Sequence, residues 1–316
     1  MKKVEALEKL KDAIRLRHFS YATEKSYAHW LQSYMTAVRR FPAEWTPEKK
    51  VERFLMDEAG RGVSAGTQNQ AFNALVFFYK AVLGKPLGTI EAVRASRKEH
   101  VRVALEVEET RSLLAVMEDH AGYPTRLVAH LLYGAGLRVS EPLELRVKDV
   151  DLAGRKLVIR GAKGGRDRVV ELPRVLVEAV EGQLRAARAV WRGDAAAGLP
   201  VAMPGLLAKK SPKVALTEAW AWLFPAHQPT NHPRTGLRVR WRMHEANVQR
   251  AVRAAAARTG LAGRVTPHVL RHCYATHAHE AGAPARNLQE AMGHAQLETT
   301  MRYLTPSAAG VRSPLD

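Results

Sequence analysis

The sequence predicts a mainly α-helical protein of two domains with a small antiparallel β-sheet. Apolar residues recur at helical spacing through most of the 316 residues. The pattern changes to a two-residue period only between Val147 and Leu172, where Gly-containing turns separate short runs. Residues 86–105 have weak periodicity and separate two segments that are each long enough to bury a core.

The N-terminal segment predicts a small all-helical domain. Apolar residues at a helical period indicate four helices, at Val4–Arg17, from Tyr21 onward, at Val51–Ala59 and at Ser64–Leu83. Glycines follow the last two helices, as expected at helix ends. We therefore predict a first domain at residues 1–88 and a basic linker at residues 89–105.

The remaining residues, 106–316, predict a second, larger domain. Helices are expected at Thr110–Met117, Pro124–Tyr133 and Ser140–Leu145, followed by three strands, Val147–Asp151, Lys156–Arg160 and Arg168–Leu172. The chain returns to helical periodicity at Val175–Trp191 and Trp241–Thr259, and in short helices after Thr266. Residues 193–240 between them are irregular and rich in Pro and Gly.

The chain is strongly basic, with a formal net charge of +18. Residues 1–105 carry 19 Lys and Arg against 11 Asp and Glu, and residues 106–316 carry 30 against 20. The excess of positive charge is spread over both domains. It therefore favours a polyanionic partner, such as nucleic acid, that is contacted by both domains. A basic surface kept for solubility is the alternative interpretation.

Composition also predicts the compartment. Cys273 is the single cysteine, so an intramolecular disulfide is excluded and a reducing environment is expected. The charged N-terminus lacks an apolar signal core, and no apolar run approaches the roughly 20 residues of a membrane span. We expect a cytoplasmic protein without membrane contact.

Three polar side chains occupy the start of one predicted helix. Thr266 and Pro267 suit a helix N-terminus, and His268, Arg271 and His272 follow at spacings that allow a shared face. Two histidines four residues apart are also a metal pair, but a guanidinium beside them disfavours a divalent cation. An anion site is the preferred interpretation, with structural histidines as the second and no metal site expected.

Two further polar residues lie near the C-terminus. His294 directly follows Gly293, which is typical of the residue after a helix end, and Tyr303 lies nine residues later. Taken singly, His294 suits a capping or surface position and Tyr303 suits a core position.

Together these motifs resemble the C-terminal signature of tyrosine recombinases. The segment Gly134–Glu141, with Arg138, is similar to the first arginine box of that family, and Lys163 resembles its β-hairpin lysine. The resemblance covers roughly residues 5–316. It implies a catalytic domain of the tyrosine recombinase type, a core-binding first domain, and a C-shaped clamp of the two on DNA.

The resemblance implies catalytic roles for six residues: Arg138, Lys163, His268, Arg271, His294 and Tyr303. Tyrosine would attack a backbone phosphate and form a 3′-phosphotyrosine intermediate, while two arginines bind the non-bridging oxygens. The hairpin lysine would protonate the leaving 5′-oxygen, because the arginines hold their protons above about pH 12. The covalent intermediate conserves the energy of the broken bond, so no cofactor is expected.

The glycine-rich turn Gly161–Gly165 has a second interpretation as a phosphate-binding loop. It lacks the Gly-Lys-Ser/Thr ending and a following helix, so a nucleotide site is not favoured.

An insertion near residues 193–245 and the closing segment Gly310–Asp316 resemble integron integrases. That resemblance implies action on folded single-stranded hairpins as well as duplex sites, with a homotetramer on two DNA sites. The candidate base-contacting residues are Trp220, Trp222, Pro233, Trp241 and Arg242. Flat aromatic faces stack on unpaired bases, although the two first tryptophans have an alternative role as anchors of the insertion.

The last pair of candidates departs from the family, which commonly has two histidines where this chain has Trp241 and Arg242.

Two other functions stay open. One is a tyrosine recombinase of Xer or phage type, or a type IB topoisomerase, acting on duplex DNA alone. The other is a DNA-binding protein without catalysis.

Overall fold

The computed structural model describes residues 2–90, 104–161, 167–204 and 207–293. The chain divides into two compact units, Met1–Val101 and Arg102–Asp316. Each unit has its own hydrophobic core.

The first unit contains four α-helices in its described residues, 2–90. They are α1 (Lys3–Leu16), α2 (Tyr21–Ala37), α3 (Pro47–Gly60) and α4 (Ala65–Ala81). Ser20, Thr46 and Ser64 accept a main-chain N–H at the starts of α2, α3 and α4, as N-cap residues do. Helix α3 begins four residues earlier than predicted, because Pro47 occupies the first helical position, where its missing N–H costs no helical hydrogen bond.

The helices of the second unit surround a larger core. They are α5 (Val107–Ala115), α6 (Thr125–Gly134), α7 (Ser140–Glu144), α8 (Val177–Ala196), α9 (Leu207–Lys210), α10 (Glu245–Arg258), α11 (Pro267–Glu280) and α12 (Ala285–Met292). Leu131, Leu132, Val252 and Leu270 are fully buried, since apolar stripes of α6, α10 and α11 pack against one another.

A three-stranded antiparallel sheet lies within this unit. Strands β1 (Val150–Asp151), β2 (Lys156–Ile159) and β3 (Arg168–Glu171) lie in sequence order, with Leu157 opposite Val170. Both of these side chains are buried, as the two-residue period indicates. The predicted class, mainly α-helical with a small antiparallel sheet, is confirmed.

The segment 193–245 is more ordered than the sequence predicts. Helix α8 extends to Ala196, and a second sheet pairs β4 (Thr230–Asn231) with β5 (Arg238–Val239). Helix α10 begins at Glu245 and not at Trp241, because the main chain of residues 241–243 bonds in extended form to residues 224–226. Val201, Met203, Trp222 and Val239 bury a small separate core here.

The main chain of Leu105 is fixed to helix α11 at both of its polar groups. Its N–H donates to Cys273 Sγ at 3.3 Å, and its carbonyl accepts from His277 Nε2 at 2.8 Å. The other ring nitrogen, Nδ1 of His277, is hydrogen-bonded to the Tyr133 hydroxyl at 2.9 Å. Burial raises the pKa of the Cys273 thiol.

Within the described ranges, no helix is both long and apolar enough to cross a membrane.

Candidate active site

The turn after helix α6 allows two parts of the site to approach closely. Gly136 has φ +62°, and a Cβ atom there would lie 2.4 Å from the Tyr274 ring, so only glycine fits. Its carbonyl accepts a 2.6 Å hydrogen bond from Arg271 Nη1. Arg138 follows this turn and lies two residues before the start of α7, whose N-cap residue is Val139.

Helix α11 places Arg271 in the interior. Pro267 occupies the first helical position, and Arg271 follows one turn later with 1% of its surface exposed. His268, in the first turn, is exposed, whereas His272 is buried. The two histidines therefore have different environments although the spacing allowed them a common face.

Glu141 joins three arginines from three parts of the chain. Its carboxylate accepts from Arg138 Nη1 at 2.8 Å and from both terminal nitrogens of Arg168 at 2.9 and 2.7 Å. Arg271 Nη1 lies 3.6 Å from the same carboxylate. We call Arg138, Arg168 and Arg271 the arginine cluster.

The carboxylate of Glu141 compensates only part of the positive charge of the arginine cluster. Burial of Glu141 opposes its ionisation, but hydrogen bonds and attraction from Arg168, together with the Arg138 N–H and Arg271, outweigh it and lower the pKa of Glu141. The carboxylate is therefore ionised, and three guanidinium groups around it leave a formal excess of two positive charges. Such an excess favours an anion as the ligand of this site.

The same three arginines also bind the end of helix α12. Arg168 Nε donates to the Ala291 carbonyl at 2.8 Å, Arg271 Nη2 to Met292 at 2.6 Å, and Arg138 Nη2 to Gly293 at 3.3 Å. Three consecutive carbonyls at a helix C-terminus, where the partial charge is negative, thus each accept from a different cation.

The tryptophans of the insertion have unlike environments. Trp222 is buried, its Nε1 donates to the Arg240 carbonyl at 3.1 Å, and the Arg146 guanidinium lies 3.0 Å from its ring centroid. Trp220 is half-buried, and Lys148 Nζ lies 3.0 Å from its ring centroid. The prediction that Trp222 offers a face to DNA needs correction, because that ring is enclosed by the small core and a cation.

The other candidate residues of the insertion are more accessible. Pro233 is exposed, and Trp241 is half-buried with its ring centroid 5.2 Å from that of His232. Arg242 is ion-paired with Glu144 at 3.3 Å and Glu245 at 3.7 Å.

Comparison with protein-family models decides the family. The model of the phage integrase family matches residues 104–309, and the phage integrase N-terminal SAM-like domain matches residues 6–89. The chain belongs to the phage integrase family of tyrosine recombinases.

Relatives agree with this assignment. An integrase/recombinase of Escherichia coli is 37% identical over 326 residues, covering 100% of this chain and 94% of the relative. Tyrosine recombinase XerD of Agrobacterium fabrum is 31% identical over 275 residues, covering 82% and 75%. The chain is thus a tyrosine recombinase, an enzyme of site-specific DNA recombination.

Solved structures share the fold. A lambda integrase dimer bound to a COC′ core site has a TM-score of 0.63 at 16% identity, covering 98% of this chain and 97% of that chain. XerH recombinase bound to difH substrate, in a pre-cleavage complex, has a TM-score of 0.62 at 20% identity, covering 96% and 82%.

The structure of this recombinase describes three of the six predicted catalytic residues. Arg138 and Arg271 meet at one carboxylate, and His268 lies one turn before Arg271. Lys163, His294 and Tyr303 lie outside the described residues. Among the residues that are described, no group of three or more His, Cys, Asp or Glu is placed to hold a metal ion.

Sequence reasoning assigned no role to Glu141 and Arg168 of the recombinase. Glu141 had a signal, since an acidic residue three positions after Arg138 indicates a local ion pair. Arg168 had none, because its carboxylate partner is 27 residues away in the chain.

Proposed function

We propose that the chain cleaves and rejoins DNA at specific sites through a covalent bond between Tyr303 and a 3′-phosphate. The observation that carries this proposal is the arginine cluster, whose excess positive charge suits a phosphodiester. By family resemblance, six residues perform the reaction: Arg138, Lys163, His268, Arg271, His294 and Tyr303. Residues 1–88 and 106–316 would hold the DNA between them, joined by the linker 89–105.

The proposed step is a transesterification that needs no co-reactant. The Tyr303 oxygen attacks phosphorus and its proton passes to His268, while the bond to the 5′-oxygen breaks and Lys163 protonates that oxygen. Arg138 and Arg271 stabilise the charge that spreads over the non-bridging oxygens, and His294 donates to one of them. Religation reverses these transfers, so the energy of the phosphodiester is conserved.

A covalent trapping assay tests this reaction. The wild-type chain, incubated in EDTA with a nicked duplex that loses its 5′-fragment, should give a protein–DNA adduct on a denaturing gel. Tyr303→Phe should bind the same duplex and give no adduct. An adduct that persists in Tyr303→Phe would reject this tyrosine as the nucleophile, and no adduct in the wild type would favour a binding protein.

We further propose that the chain is an integron integrase that acts on folded single-stranded hairpins and on a duplex site. The support is the insertion near 193–245, which has its own small core and keeps Pro233 exposed and Trp220 and Trp241 half-buried. Half-exposed rings beside cations such as Lys148 suit unpaired bases and their phosphates. Four protomers on two DNA sites would form the active assembly.

A recombinase that acts on duplex DNA alone is the second candidate. Its support is the 31% identity to tyrosine recombinase XerD of Agrobacterium fabrum over 82% of this chain. The two candidates differ in what the insertion does.

Adduct yields on a bulged hairpin and on the matching duplex separate these candidates. For an integron integrase, Trp220→Ala should lower hairpin cleavage about 10-fold or more, as expected for the loss of one stacked base, and change duplex cleavage little. Trp45→Ala is the matched control, since this half-buried tryptophan of the first unit also lies beside a lysine, Lys49 at 4.8 Å. Equal losses on both substrates with Trp220→Ala would favour the duplex-only candidate.

A further inference from the structure

Arg168 differs from the other members of the arginine cluster because both of its terminal nitrogens donate to Glu141. It is the first residue of β3, and only 10% of its side chain is exposed. Two parallel bonds join it to both oxygens of Glu141, and its Nε donates to the Ala291 carbonyl. A planar guanidinium bound along two edges is fixed in orientation.

Glu141 connects Arg168 to Arg138 and Arg271, the two arginines that we propose bind the phosphate. The carboxylate held by Arg168 is the one that accepts from Arg138 at 2.8 Å and lies 3.6 Å from Arg271. Three cations this close repel one another unless the carboxylate stays between them. Arg168 therefore keeps in place the group that allows Arg138 and Arg271 to approach each other.

Arg168 also fixes the end of helix α12. Its Nε bonds to Ala291, and a Cβ atom at Gly293 would lie 3.1 Å from both its Cδ and its Nη1. The carbonyls of Met292 and Gly293, in turn, accept from Arg271 and Arg138. One guanidinium thus contacts both structures, the carboxylate and the helix end, that orient the other two arginines.

We propose that Arg168 is a positioning residue of DNA cleavage, which acts on the scissile phosphate through Glu141 and the end of α12. This inference rests on the proposed function. In this proposal Arg168 neutralises the carboxylate of Glu141, whereas Arg138 and Arg271 neutralise the phosphate. Arg168 therefore has a role distinct from that of the other two arginines.

The test compares an ordinary scissile phosphate with a methylphosphonate, in which a methyl group replaces one non-bridging oxygen. The methylphosphonate is uncharged and needs less positive charge in the transition state. A defect that arises from misplaced phosphate-binding arginines should therefore shrink on this substrate. A general loss of folding or of DNA affinity should lower cleavage of both substrates alike.

We expect Arg168→Gln to slow single-turnover cleavage of the ordinary duplex by about 10- to 100-fold, by analogy with the loss of side chains that orient metal ligands. The same variant should slow methylphosphonate cleavage by a much smaller factor. Arg168→Lys keeps the charge but loses the two-bonded geometry, so its defect should be intermediate. Arg155→Gln is the matched control, since its 2.9 Å ion pair with Glu171 joins the β1–β2 turn to β3, and it should cleave at the wild-type rate.

Equal losses on both substrates, with DNA affinity unchanged, would overturn the positioning role. A wild-type rate for Arg168→Gln on the ordinary duplex would overturn it as well. If thermal unfolding shows that Arg168→Gln does not fold, Arg168→Lys carries the same comparison. A wild-type chain that forms no adduct on either substrate would instead reject the proposed function.

Discussion

The carboxylate of Glu141 accepts hydrogen bonds from both the main-chain N–H and the guanidinium of Arg138, each at 2.8 Å. Glu141 lies in the first turn of α7, where an acidic side chain is favoured by the positive end of the helix. The bonds close a local ring that fixes Arg138 just before the helix. An acidic residue thus determines the position of the basic residues in the arginine cluster.

Removing this carboxylate should destabilise the second unit. Glu141→Gln leaves three guanidinium groups without their counter-charge, and we expect the free energy of unfolding at pH 7 to fall by about 3–5 kcal/mol. The folded pKa of Glu141 lies below its ordinary value of 4.5, so its stabilisation is complete above pH 4.5 and is lost as the pH falls. Urea unfolding of both proteins at pH 7 and pH 4 should show a smaller difference at pH 4; a constant difference contradicts the assignment.

Arg138→Ala should remove cleavage while leaving most of the DNA affinity. A donor aimed at transition-state charge contributes roughly 10²–10³-fold in rate, whereas affinity is shared among many phosphate contacts. Adduct formation and fluorescence anisotropy measure the two effects separately. Arg264→Ala, which removes an exposed arginine paired with Glu109 at 2.7 Å, is the control. Near-normal exchange by Arg138→Ala would refute its role at the phosphate.

Trp222→Ala should cost more stability than Trp220→Ala. Trp222 is buried and donates to the Arg240 carbonyl, so its truncation should lower the free energy of unfolding by about 3–5 kcal/mol. Trp220 is half-buried and should cost less than half of that amount. Denaturant unfolding followed by circular dichroism checks both values. Similar costs for the two variants would mean that Trp220 is equally a core residue.

Gly136→Ala should impair both folding and cleavage. A left-handed residue other than glycine costs about 1–3 kcal/mol, and the added methyl group would also displace Tyr274 and the carbonyl that binds Arg271. Gly260→Ala is the control, because Gly260 has φ +72° with open space around it and should show the backbone cost alone. Thermal unfolding and adduct yield together test this comparison. If Gly260→Ala reduced the adduct as much, contact with the site would not be the cause.

The helices and the main sheet were predictable because periodicity reports which side of an element is buried. The first residues of α3 and α10 could not be predicted. Helix α3 starts at Pro47, which acts as a first helical residue. Helix α10 starts late because residues 241–243 bond to residues 224–226, which no local pattern indicates. Strands β4 and β5 have two residues each, too few for any period to be read.

Arg138 and Arg271 could be singled out from the sequence because each lies in a local motif. Trp220 and Trp222 looked equivalent because they are two residues apart in an aromatic segment. Trp220 ends a 3₁₀ turn, whereas Trp222 bridges to Arg146 in an antiparallel pairing that encloses its ring. That difference depends on a partner 76 residues away, and no local pattern contains it.

The two bonds that hold the main chain of Leu105 have a mechanical consequence. Cys273 and His277, which make these bonds, lie on the same helix as His268 and Arg271. A displacement of the main chain at Leu105 would therefore act directly on helix α11. Strain applied there would reach the backbone that carries Arg271.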